Sequence, residues 1–218
     1  MVMNFILKLI DIVLHLGDYL DAVIARFGFL TYILLFLVVF TETGVVIFPF
    51  LPGDSLLFAA GAIAARGSLN IFLLWIVFAS AAILGDTANY WIGRNVKEGI
   101  FEKEKIRFIR KKHLIKTKEF YKRHGGKTIV LARFIPIIRT FAPFVAGIGA
   151  MSYRWFLLYN VLGGAMWVSL FLLTGYWFGN IPFVKNNFSF VVIAIIVISF
   201  IPMVIEFIKE RMKKETKK

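Results

Sequence analysis

Residues 48–55 read Phe48-Pro49-Phe50-Leu51-Pro52-Gly53-Asp54-Ser55, and this short stretch decides how the chain must fold. It interrupts an apolar run that starts near residue 28 and resumes through residue 66. Two prolines withhold backbone N–H donors and Gly53 permits a sharp turn, so no helix continues through it. A hydrophobic segment broken in this way predicts a re-entrant helical hairpin over about 28–66. The surrounding composition names its solvent. Of 218 residues 59% are hydrophobic, and the mean hydropathy is +0.78. Such a chain would precipitate in water, so the bilayer is the expected medium.

Working outward, residues 4–26 mix apolar positions with Lys8, Asp11, Asp18 and Asp21, and predict a surface helix or a short, poor span. Residues 69–93 are long and apolar enough to cross. Residues 94–127 then carry 13 Lys/Arg against 4 Glu, and predict an amphipathic surface segment over 94–126. A second apolar run, 127–150, is interrupted by Arg133, Pro136, Arg139 and Pro143, and predicts a second broken hairpin. Residues 153–179 and 188–208 predict two further spans, followed by a basic tail at 209–218. The formal charge of +13 gathers mainly in 94–127 and 206–218. Both stretches flank apolar spans, so the positive-inside rule places them in the cytoplasm, on anionic headgroups. Nucleic-acid binding is not expected, because these segments lack a nucleic-acid-binding fold. With no cysteine, disulfides and thiolate metal sites are excluded.

An offset of 86 residues superposes parts of the chain without gaps. Phe58 falls on Phe144, Gly61 on Gly147, and Tyr90-Trp91-Ile92-Gly93 on Tyr176-Trp177-Phe178-Gly179. With 94–127 inside, the span 69–93 runs inward and 153–179 outward. The expected fold is therefore all-α and membrane-embedded, one domain over 1–218 built as an inverted repeat. The repeats are 1–93 and 94–180, each a surface helix, a re-entrant hairpin and a span, with 188–208 as a final span. Broken segments at corresponding positions of two inverted halves mark the binding site of many transporters.

Five charges remain at membrane depth: Glu42, Asp54, Asp86, Arg133 and Arg139. Each costs about 2.5–3.5 kcal/mol at a bilayer centre on insertion scales, so they must face protein or a watery cavity. One reading makes them internal ion pairs that hold the hairpins together. The functional reading gives Arg133 and Arg139 an anionic headgroup, because a planar guanidinium suits phosphate and stays charged when desolvated. The carboxylates then exchange protons. The chain breaks around Gly53 and Thr140 expose backbone donors that favour anions, or simply turn the chain. Asp86 and Asn89, one helical turn apart, line the same cavity or satisfy a hairpin's backbone. Tyr90, Trp91, Tyr176 and Trp177 read as interfacial anchors. No Walker sequence, zinc-helix motif or nucleophile elbow occurs, so a carrier is expected rather than an enzyme.

These features resemble the DedA family, also called the SNARE-associated or VTT-domain family. The resemblance rests on Glu42-Thr43-Gly44, Phe50-Leu51-Pro52-Gly53-Asp54-Ser55, Gly85-Asp86 with Asn89-Tyr90 and Gly93-Arg94, and His124-Gly125-Gly126-Lys127. It continues through Arg133-Phe134, Pro136, Arg139-Thr140 and Pro143, then Gly147, Gly149, Met151, Tyr153 and Asn160. It covers nearly the whole chain. The resemblance implies a bacterial inner-membrane protein with two re-entrant hairpins. It implies flipping of undecaprenyl phosphate coupled to the proton motive force, with required acids at Glu42 and Asp54 and required arginines at Arg133 and Arg139. Relatives that move phosphatidylethanolamine or export cations and drugs keep those alternatives open. Expected partners are membrane lipids and protons, with room for a homo-oligomer. No cofactor or metal is expected.

Overall fold

The computed structural model describes residues 16–44, 53–95, 117, 119, 121–187, 190–191 and 193–194. Residues 4–15 of the expected surface segment 4–26, residues 45–52 of the expected hairpin 28–66, most of the expected amphipathic segment 94–126, most of the expected span 188–208 and the tail 209–218 lie outside the described residues. What is described is helical, with no strand among the described residues.

Helix α1 is Leu16–Phe27, and Gly28, at φ 52°, turns the chain into α2, Leu30–Gly44. Helix α3, Gly53–Ala65, begins at the glycine after the double-proline stretch. Gly67, at φ 85°, reverses the chain, a backbone state that favours glycine. Asn70 then caps α4, Ile71–Asn95, its Oδ1 accepting the N–H groups of Phe72 and Leu73 at 3.0 and 3.1 Å. The Tyr32 hydroxyl accepts the Asn70 N–H at 2.7 Å and ties that corner to α2.

The second half starts more abruptly. A 3₁₀ turn at Gly125–Lys127 leads into α5, Thr128–Ala132, only 5 residues long. Residues 133–135 break the chain. Ile135 is extended, as a residue before proline prefers. Pro136 opens α6, Pro136–Val145, where its missing N–H costs nothing. Pro143 lies inside α6 and a π-helical turn, Ala146–Ala150, follows it. Helix α7 is Tyr153–Phe178 and the short α8 is Pro182–Asn186. Of the described helices, α4 and α7 (25 and 26 residues) are long and apolar enough to cross a membrane.

Helices α4 and α7 run antiparallel. Trp75 donates from Nε1 to Ser169 Oγ at 2.9 Å, Asn160 donates to the Ile83 carbonyl at 3.0 Å, and Tyr90 stacks on Phe156 at 4.5 Å. Helix α3 packs on α7 and α6 with its π turn packs on α4, each crossing to the other half, whereas α2 packs on α4 and α5 on α7 within their own halves. Glycines make both crossings. A Cβ on Gly61 of α3 would run into the Leu172 carbonyl of α7, and one on Gly147 into the Tyr90 carbonyl of α4. Likewise Gly175 of α7 sits against the Phe58 carbonyl, and Gly93 of α4 against that of Phe144. Small residues let helix backbones approach where apolar burial offers little driving force.

Of the four expected interfacial aromatics, Trp91 and Trp177 are exposed. Tyr90 is not. It is buried, and its hydroxyl donates to the Met151 carbonyl at 3.1 Å, because the π turn leaves that group without a helical partner.

Candidate functional site

The first turn of α3 and the middle of α6 approach one another at mid-length of the two long helices. Trp167 lies 14 residues into α7 and Asp86 lies 15 residues into α4, about 21–23 Å along each helix. All five charges expected at depth are here, and they sort into two groups.

The first group is closed. Arg133, in the turn between α5 and α6, donates from Nη2 to Asp86 Oδ2 at 2.5 Å and to Asn160 Oδ1 at 2.6 Å. The two charged side chains are 2% and 6% exposed. Asn160 in turn donates to the Ile83 carbonyl, which fixes its amide. Gly163 and Gly164 of α7 make room for the guanidinium: a Cβ at either would stand 3.3–3.4 Å from it. Arg133 Nε and Nη1 have no hydrogen-bond partner among the described residues. One acid and one arginine cancel here.

The second group is not neutral. Arg139, on the first turns of α6, donates from Nη1 to Asp54 Oδ1 at 3.1 Å, and its Nη2 stands 3.3 Å from Glu42 Oε1. Glu42 lies in the last turn of α2 and Asp54 in the first turn of α3, so these two helices deliver one acid each. The Glu42 carboxylate packs against the Cα of Gly53. Glu42 Oε2 has no hydrogen-bond partner among the described residues. Trp167 donates from Nε1 to Asp54 Oδ1 at 2.9 Å, and its ring lies 4.1 Å from the Arg139 guanidinium carbon. Two carboxylates surround one guanidinium, so with every group ionised the cluster holds one excess negative charge.

Asn89, one turn after Asp86, meets Thr140, the residue after Arg139. The Asn89 amide donates to the Thr140 carbonyl at 2.9 Å, wholly buried. Thr140 lies within α6, and the chain break falls at 133–135 instead. Tyr121 closes the same helix from the end of the basic segment, donating to the Ala142 carbonyl at 3.0 Å. Sequence reasoning passed over Trp167 altogether and met Asn160 only as a motif position. Both carried a signal: a tryptophan or asparagine mid-span has a polar group that must find a partner.

Comparison with known proteins places this geometry in context. Residues 51–177 match the VTT domain family. The chain is 50% identical to Protein DedA of Escherichia coli K12 over 211 residues, 96% of each chain. It is 40% identical to an uncharacterized membrane protein of Mycobacterium leprae, covering 77% of this chain and 75% of that one. It is 34% identical to inner membrane protein YghB of Escherichia coli K12, over 72% and 71%. No solved structure matches.

Proposed function

For a chain that belongs to the DedA family of VTT-domain membrane proteins, we propose a lipid-phosphate carrier that flips undecaprenyl phosphate across the bacterial inner membrane, coupled to protons. One observation carries this reading: a desolvated guanidinium, Arg139, held between Glu42 and Asp54 where the first turn of α3 and α6 meet. A phosphate monoester matches the planar donor fork of arginine. Arg133 adds two further donors, Nε and Nη1. The polyprenyl tail stays in lipid while the headgroup crosses.

Charge balance supplies the coupling. With one excess negative charge, the Arg139 cluster repels an incoming phosphate at low dielectric. Protonation of Glu42 or Asp54 removes that charge and admits the headgroup. Protons are more abundant on the outer face of an energised membrane, so loading is favoured there. Deprotonation on the inner face restores the excess charge and expels the phosphate. The protein thus acts as a carrier and not as an enzyme.

The inverted-repeat reading draws support from the antiparallel long helices and the reciprocal glycine crossings. Under it, 28–66 and 127–150 are re-entrant hairpins entering from opposite faces, with 94–127 and the C-terminus cytoplasmic. Purified protein in liposomes carrying a fluorescent polyprenyl phosphate tests the function. Flipping should be accelerated by an inward proton gradient and lost in Arg139→Ala. Flipping unchanged by Arg133→Ala and Arg139→Ala together removes the site.

The same excess negative charge favours a second reading, a proton-coupled exporter of cations or drugs in which the acids hold the solute. Cation-driven proton flux in vesicles lacking any polyprenyl phosphate distinguishes the two.

A further inference from the structure

Trp167 is the largest fully buried side chain among the described residues, and no step above uses it. It sits mid-way along α7, away from the headgroup level where membrane tryptophans collect. Its edge binds Asp54 through Nε1 at 2.9 Å, and its face binds Arg139 at 4.1 Å from the ring centre. Asp54 and Arg139 also bind one another, at 3.1 Å. The three residues come from α7, α3 and α6, so one rigid indole joins three elements.

Arg139 Nη2 has no hydrogen-bond partner among the described residues, so an anion that takes both ends of the guanidinium fork must open the Nη1–Asp54 contact. Doing so takes the counter-ion away from Asp54 in a medium that solvates charge poorly. The indole offsets this. Asp54 keeps its N–H donor and Arg139 keeps its π face, a contact that strengthens when desolvated. From this geometry we infer that Trp167 is the positioning residue of the site. It holds Arg139 and Asp54 in place while their own ion pair is open, and so sets the affinity for a phosphate monoester. The inference rests on the lipid-phosphate reading above.

Face and edge separate experimentally. Fluorinated tryptophans installed at position 167 alone keep the shape and the N–H but withdraw electron density from the ring face. Trp167→Phe keeps a face and deletes the donor to Asp54. The charged groups around Asp54 are Arg139 and Glu42, with the Arg133–Asp86 pair nearby. Flipping of a fluorescent polyprenyl phosphate is measured in liposomes across a pH series. The half-saturating lipid concentration should rise stepwise with each fluorine, reaching about tenfold. The pH profile should shift in Trp167→Phe, which deletes the donor to Asp54. A flat affinity across the fluorinated proteins, or a Trp167→Phe profile superimposable on the wild type, overturns the inference. Arg139→Ala is run alongside. If it flips normally, the lipid-phosphate reading itself falls. If it is inactive while the fluorinated series is flat, only the role of Trp167 is lost.

Discussion

The Glu42 carboxylate lies against the Cα of Gly53, so a single methyl group there meets both carboxylate oxygens. Gly53→Ala should therefore push Glu42 off Arg139 without unfolding the protein, because the displaced atoms end a flexible side chain. We expect flipping to fall at least about tenfold, the equivalent of one lost charge-assisted contact of about 1.4 kcal/mol or more, while thermal unfolding in detergent stays near wild type. Asp86→Asn should behave oppositely. It leaves Arg133 buried without its counter-ion, a loss of about 3–5 kcal/mol that the same thermal measurement detects. At this scale the sequence exposes the five charges, because ionisable side chains in apolar runs are costly wherever they lie. It does not expose their partners. Glu42, Asp54 and Arg139 converge across up to 97 positions, and Arg133 turns to Asp86 and Asn160 instead. Pairing is a property of packing, invisible along a single strand of text. Trp167 does not stand out in the sequence, because an aromatic residue in an apolar span resembles its neighbours.

At the scale of helices, the crossings of α3 on α7 and of α6 on α4 depend on glycine. Gly61→Ala and Gly147→Ala each set a methyl group against backbone that cannot yield. Each should destabilise by about 1–3 kcal/mol, and by similar amounts, as read from thermal unfolding in detergent. The 86-residue offset already aligned these two glycines. Composition and length also made α4 and α7 legible as membrane-capable helices. Two details were not. The partners of Gly147 lie one helical turn off the positions that the offset would give from Gly61. The arm α5 is 5 residues against 15 in α2, a shortening that the run of apolar letters from 127 conceals.

For the molecule as a whole, the directions of α4 and α7 make orientation testable, and a chain without cysteine needs no prior substitution. In whole cells, Ser68→Cys, in the turn before α4, should react with an impermeant maleimide. Lys122→Cys should react only after the membrane is opened. Reaction of both from outside ends the inverted-repeat reading. The interlock of the halves also has a cost during synthesis. Asp54 leaves the ribosome 85 residues ahead of Arg139 and 113 ahead of Trp167. At about 5–20 residues per second, the acid waits some 4–17 s for its cation and longer for its indole donor. For that interval the nascent α2 and α3 carry two carboxylates whose arginine has yet to be made, and it is the period in which a translational pause or a membrane protease would decide the fate of the chain.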